Sequence, residues 1–201
     1  MLNENALDSN PLSQFNRWYR EAAQHPQIDD ATTMSLATAD TQGRVSCRMV
    51  LLKEHSAEGF VFYTNHATSR KSLDISANPH AALCFYWPPL QRQIRIEGTA
   101  ARVDDAQADA YFASRPRGSQ IGAWASAQSE ELASRATLEE RITALEQHYA
   151  GRDIPRPPHW HGWCVNPQRY EFWEGRDFRL HDRFEYALEE DGSWQITRLN
   201  P

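Results

Sequence analysis

The 201-residue chain is short of cysteine, glycine and lysine, and each shortage argues against a class of function. Cys47, Cys84 and Cys164 are odd in number, far apart and never in a Cys-x-x-Cys pair, which speaks against a disulfide framework or a zinc knuckle. None of the nine glycines forms Gly-x-Gly-x-x-Gly or Gly-x-x-x-x-Gly-Lys, so neither a dinucleotide fingerprint nor a P-loop is present. Any phosphate must then be held by side chains. A Gly-x-Ser-x-Gly elbow, the mark of many esterases, is also missing. The longest strongly apolar run, Ala81–Trp87, is far too short to span a bilayer. Met1–Pro11 is acidic and amide-rich where a secretion signal needs a basic start and an apolar stretch, so a cytoplasmic protein with no membrane partner is expected. A basic surplus is lacking too, and the net charge of -6 weighs against nucleic acid as a partner. Only two of the 21 basic residues are lysines, Lys53 and Lys71, which marks them as positions where a compact point charge is wanted.

What is present describes one mainly β domain. Hydrophobic residues make up 40% and charged residues 24%, and no linker divides the chain, so residues 11–201 read as a single domain behind a flexible N-terminal segment, 1–10. Leu12, Phe15, Trp18 and Tyr19 form one apolar stripe and predict a helix over Pro11–Gln24. Short β-prone runs follow at Met34–Ala39, Val45–Leu52, Phe60–Tyr63, Ala81–Trp87 and Gln93–Val103, separated by turn signals such as Asn78-Pro79. Ser69–Ala77 has helical composition with Ser69 as N-cap. Arg70 and Lys71 then fall in the first turn, where the helix dipole disfavours cations and an anion would explain them. Helices are also expected at Asp104–Ser114 and Ser129–Tyr149, a rigid proline loop at 155–158, and strands at Trp163–Trp173, Arg179–Tyr186 and Trp194–Leu199. An antiparallel barrel of six to eight strands with flanking helices is the economical arrangement, because closure removes exposed edges.

Four groups could carry chemistry. In Arg48-Met-Val-Leu-Leu-Lys53, Arg48, Val50 and Leu52 share one strand face and Met49, Leu51 and Lys53 the other. Two cations leaving one strand in opposite directions serve either solvent or a ligand. Ser69-Arg-Lys71 is the second group. Arg115-Pro-Arg117-Gly-Ser119 follows a helix bearing Tyr111, and is either a solvated loop or a phosphate grip. On an extended strand Arg179, His181 and Arg183 share a face, which costs energy unless something negative or aromatic covers them. At an effective dielectric near 20, a cation about 4 Å from a phosphate charge gains on the order of 4 kcal/mol before desolvation. His159-Trp160-His161 reads as a polar loop, and no metal site is expected.

Taken in order, Arg48-Met-Val-Leu-Leu-Lys53, Phe62-Tyr-Thr-Asn65, Ser69-Arg-Lys71, Ser114 to Trp124, Glu171-Phe-Trp173, Arg179-Leu-His-Asp-Arg183 and Arg198-Leu-Asn-Pro201 resemble the signature of the pyridoxine/pyridoxamine 5'-phosphate oxidase family. The resemblance spans nearly the whole chain from Pro11. It implies a split β-barrel homodimer with FMN at the subunit interface. Residues 48–53 (Arg48, Met49, Val50, Leu51, Leu52 and Lys53), with Tyr63, Thr64, Arg70, Lys71, Gln93, Gln128, Ser129, Trp173 and Arg183, would then bind the cofactor. Lys53, Tyr111, Arg115 and Ser119 would hold the phosphate of pyridoxamine or pyridoxine 5'-phosphate. Arg179 and His181 would act as the catalytic pair over the pyridine ring, with Leu180 between them. The implied reaction passes a hydride equivalent from the substrate C4' to the flavin, and O2 reoxidises the flavin to give peroxide. Relatives carry a longer N-terminal segment with an Arg-x-x-Tyr element, to which Met1–Asn10 shows nothing similar; His161 stands where relatives tend to have glycine and reads as a loop substitution. Two rival readings remain: a phenazine-pathway type of flavin oxidase on the same fold, and an FMN- or pyridoxal-phosphate-binding protein without turnover.

Overall fold

The computed structural model describes residues 2–201. Asn10 caps helix α1 (Pro11–Gln24), its side-chain oxygen accepting from the N–H groups of Leu12 and Ser13, and Pro11 occupies the first turn, where no donor is needed. The buried stripe Phe15, Trp18 and Ala22 lies on the sheet, with Phe15 edge to face against Phe60 and Phe85 at 4.8 and 5.3 Å between ring centres.

Nine strands form one antiparallel sheet: β1 (Thr33–Ala39), β2 (Val45–Leu51), β3 (Glu54–Ser56), β4 (Gly59–Asn65), β5 (His80–Trp87), β6 (Arg92–Arg102), β7 (Trp160–Glu174), β8 (Asp182–Leu188) and β9 (Trp194–Leu199). Their order is β2-β1-β5-β6-β7-β4-β3, with β8 between β7 and β9. β7 is the spine. Its first half pairs with β4, its second half with β8, and β6 runs along its other edge. A register shift at Glu97/Gly98 bends β6 at the point where this partner changes, and the sheet curls into a half-barrel. Met34, Leu36, Leu83, Phe85, Ile94, Ile96, Val165 and Phe172 fill its concave side. The molecule is therefore a mainly β split barrel with flanking helices, in which β5 to β9 pair consecutively as a meander and the β1·β5 and β4·β7 pairings cross over.

Four local expectations are corrected. The stretch after Pro116 is a helix, α4 (Arg117–Ala125), and not a loop; buried Gln120 holds it by donating to the carbonyls of Phe112 and Ala113 at the end of α3 (Asp105–Ser114). Helix α5 starts late, as Arg135–His148, with Ser134 as its N-cap accepting from the Thr137 N–H, and Ser129 lies before it in a left-handed conformation at φ +74°. Arg179 and His181 precede β8 instead of lying on it: residues 177–179 make a tight turn with Phe178 and Arg179 at φ +57° and +62°. Arg179, His181 and Arg183 therefore share no strand face. His161 is not in a loop but buried on β7, bonded to Asp105 at 3.1 Å.

Residues 2–10, expected to be flexible, are held against the domain. Leu2 is buried, its N–H donates to Glu174, Glu4 pairs with Arg198 at 2.7 Å, and the Asp8 carbonyl accepts from the Tyr186 hydroxyl at 2.7 Å. Met1 lies outside the described residues.

Candidate functional site

A cavity of about 920 Å³ opens between β2, β4, the start of α2 (Arg70–Ala77) and the elbow joining α3 to α4. Five cationic side chains line it: Arg48, Lys53, Arg70, Lys71 and Arg115. No aspartate or glutamate does. Arg48 is anchored from behind, donating to Thr38 Oγ1 at 2.8 Å and to the Leu36 carbonyl at 3.1 Å, with Asp74 3.9 Å away. The other four make no ion pair among the described residues. So much unbalanced positive charge in one recess calls for anionic ligands.

The chain prepares two anion positions there. At the first, Ser69 occupies the N-cap of α2 as its sequence predicts, but its side chain makes no capping bond; Ser69 Oγ is buried and without a partner. Arg70 and Lys71 follow at the positive end of the helix. Burial, and then the charge of Arg48, lowers the Lys71 pKa to about 8. At the second position, the Arg115 guanidinium lies over Trp160 at 4.8 Å and beside Phe112, and its Nη1 is buried with no partner. Tyr111 on the last turn of α3 and Ser119 on the first turn of α4 flank it.

The wall beside Arg115 is aromatic. Tyr63 stacks on Tyr111 at 4.1 Å and on Trp160 at 5.1 Å, within 15° of parallel. Gly162, opposite Tyr63 on β7, makes this possible, since a Cβ there would sit 2.6 Å from the Tyr63 ring. The Tyr63 hydroxyl donates to Glu54 at 2.8 Å, and burial together with that carboxylate raises its pKa, so the ring stays neutral. Thr64 and Thr68 bond the side chain and carbonyl of Gln128, both at 2.7 Å, drawing Gln128 and Ser129 to the rim. Met49, Val50 and Leu51 complete the β2 wall, whereas Leu52 turns into the core.

Besides Leu52, six expected site residues do not line this cavity: Gln93, Trp173, Arg179, Leu180, His181 and Arg183. They form a second group. Gln93, Trp173 and Arg183 are cross-strand neighbours on β6, β7 and β8, and the Trp173 ring lies 4.6 Å from that of His181. Arg183 is occupied by Glu171 at 2.8 Å and by the Asn200 carbonyl at 2.9 Å. Arg179 is exposed and makes no hydrogen bond or ion pair among the described residues. Sequence reasoning missed Trp160, Asn65 and Ser126 as cavity residues. Asn65 had a visible signal, a polar residue ending an apolar strand before the basic helix. Its side chain accepts from Ala67 and Thr68 and donates to the Ser126 carbonyl, which shapes that turn.

Residues 21–149 match the family model for pyridoxamine 5'-phosphate oxidase, and residues 160–201 match that for the pyridoxine 5'-phosphate oxidase C-terminal dimerisation region. The chain belongs to the pyridoxamine 5'-phosphate oxidase family. It is 53% identical to a pyridoxine/pyridoxamine 5'-phosphate oxidase of Rubrobacter xylanophilus, covering 100% of this chain and 91% of that one, and 52% identical to one of Myxococcus xanthus, covering 100% and 96%. Among solved structures, PhzG from Burkholderia lata in complex with tetrahydrophenazine-1-carboxylic acid superposes with a TM-score of 0.92 at 30% identity, covering 100% of this chain and 98% of that one. An FMN-binding, pyridoxamine 5'-phosphate oxidase-related protein from Nostoc punctiforme shares the fold, with a TM-score of 0.75 at 17% identity, covering 97% and 100%. In this member of the oxidase family, the second group of site residues from Trp173 to Arg183 falls within the region matched as dimerisation region.

Proposed function

We propose that this chain is an FMN-dependent pyridoxine/pyridoxamine 5'-phosphate oxidase that works as a homodimer and releases pyridoxal 5'-phosphate. The observation that carries the reading is a carboxylate-free cavity with two cationic groups, one for each of two phosphates, on different elements of its wall. The flavin phosphate belongs at Ser69, Arg70 and Lys71; the substrate phosphate belongs at Tyr111, Arg115 and Ser119, with Lys53 of the same cavity as a further cation for it. Arg48 and the main chain of 49–51 border the flavin ring, and Gln128 and Ser129 close over it.

Bound FMN supplies the redox chemistry, accepting a hydride equivalent from the substrate C4' and passing the electrons to O2 as peroxide. The protein binds, orients and excludes water. Arg115, half-buried against Trp160 with Nη1 already out of water, gives up less hydration than an exposed guanidinium when it meets the phosphate. In the homodimer, Trp173, Arg179, His181 and Arg183 of one protomer face the cavity of its partner. Arg179, without a partner among the described residues, covers the substrate ring, and His181 orients it. The exposed apolar row Val45, Met49 and Leu51 on β2 supports burial of this face in an assembly.

A second reading is favoured by one observation, the PhzG likeness: a carboxylated tricyclic substrate could use the same cations. Peroxide release decides among the readings. The yellow holoenzyme is expected to form peroxide and pyridoxal 5'-phosphate in equal amounts from pyridoxamine 5'-phosphate. Peroxide only with a reduced phenazine carboxylate would transfer the assignment to the second reading, and tight FMN binding without peroxide from either would leave a binding protein.

A further inference from the structure

Glu174 ends β7 and Asp182 begins β8, and the two are directly opposite in register. Two carboxylates facing each other across an antiparallel pair repel. Arg176 lies between them, with Nη2 on Glu174 at 2.6 Å and Nε on Asp182 at 2.7 Å, so it closes the neck of the 175–181 loop. The clamp is backed on both sides. Glu174 also receives the Leu2 N–H and Arg92, and Asp182 receives Arg198, which Glu4 holds in turn. Both ends of the neck are thus tied to the N-terminal segment.

The clamp has a chemical consequence at His181. With the guanidinium fixed, the Arg176 backbone N–H points at His181 Nδ1, 3.1 Å away. A backbone N–H can only donate, so Nδ1 must present its lone pair and the ring proton must sit on Nε2. Trp173 packs against the ring and limits its rotation, and Nε2 makes no hydrogen bond among the described residues. We propose that Arg176 is a positioning residue that holds His181 as its Nε2–H tautomer, presenting a single hydrogen-bond donor to the substrate. This rests on the oxidase reading for what His181 faces, but the tautomer itself does not depend on that reading.

The test uses the FMN holoenzyme, Arg176→Ala and Arg176→Lys, with steady-state kinetics on pyridoxamine 5'-phosphate and two-bond nitrogen–proton NMR spectra of histidine-labelled protein. The His181 signals are identified by their loss in His181→Asn. Wild type should show His181 protonated at Nε2 alone. Arg176→Ala should mix the tautomers and lower kcat about tenfold, with KM and the FMN dissociation constant within twofold; Arg176→Lys should restore part of both. A proton on Nδ1 in wild type would overturn the inference. So would an Arg176→Ala variant that keeps the wild-type tautomer, whether its kcat is normal or falls together with melting temperature. If the wild type failed to oxidise pyridoxamine 5'-phosphate the oxidase reading would fall, and the tautomer comparison would still decide the role of Arg176.

Discussion

Arg115 has one guanidinium nitrogen sealed from water and unpaired, a state that costs free energy until an anion arrives. Hydrogen bonds to charged groups contribute about 1.5–3 kcal/mol, so Arg115→Ala is expected to raise KM for pyridoxamine 5'-phosphate roughly tenfold to a hundredfold. The FMN dissociation constant, read by flavin fluorescence, should move less than twofold; an unchanged KM would remove Arg115 from the substrate site. Lys71 predicts a pH dependence. Its pKa is lowered from 10.5 to about 8, so between those values the unfolded chain binds more protons than the folded one, and stability of the FMN-free protein rises with pH across that window. Flavin affinity runs the opposite way. As pH climbs above about 8 the ammonium is lost before FMN binds, and the dissociation constant should rise by up to about tenfold per unit. Lys71→Arg, which stays charged, should flatten the profile, and a flat wild-type profile would contradict the assignment.

At the scale of elements, the site depends on how β4, β7 and α3 meet. Tyr63 on β4 reaches Tyr111 on α3 only because Gly162 on β7 leaves room for its ring. Gly162→Ala would place a methyl group 2.6 Å from Tyr63 Cε1 and 2.8 Å from Val103 Cγ2. Overpacking of this kind costs about 1–3 kcal/mol. The expected outcome is a lower urea midpoint together with a raised KM, because the displaced stack carries Tyr111 and Trp160, the supports of the substrate phosphate position. A loss of stability with unchanged KM would show that the stack is structural only.

At the scale of the whole molecule, the expected site residues of one chain fall into two groups. The cavity carries the proposed phosphate positions, while Trp173, Arg179 and His181 lie outside its walls. β2 pairs only with β1 among the described strands, and its outer face exposes Val45, Cys47, Met49 and Leu51. An exposed row of this kind marks an interface. Charges on it, as in the double variant Val45→Glu with Met49→Glu, should yield a monomer by sedimentation that has lost FMN and peroxide production. A dimer that keeps both would place the interface elsewhere.

Much of this was legible in the residues. The helical spacing of Leu12, Phe15, Trp18 and Tyr19, of which Phe15 and Trp18 are fully buried, and the run through Met34 and Leu36 followed from burying one face of each element, and Arg48, Lys53, Arg70 and Lys71 stood out as basic clusters on a strand and at a helix start. Helix α4 was hidden because Pro116 and Gly118 signal a turn, and its anchor, Gln120 on the α3 carbonyls, is tertiary. The path of 177–181 was hidden for the same reason. Alternation would place Arg179 with His181, but within the loop whose neck Arg176 closes, Phe178 and Arg179 take left-handed conformations that break the alternation. The sequence by itself determined which apolar stripes of α1 and the strands turn inward and where the basic clusters lie along the chain, since both depend on local pattern and composition. Only the tertiary structure decided which of those cations share one cavity and which stand apart, because that depends on where a curled sheet brings strands distant in the chain together.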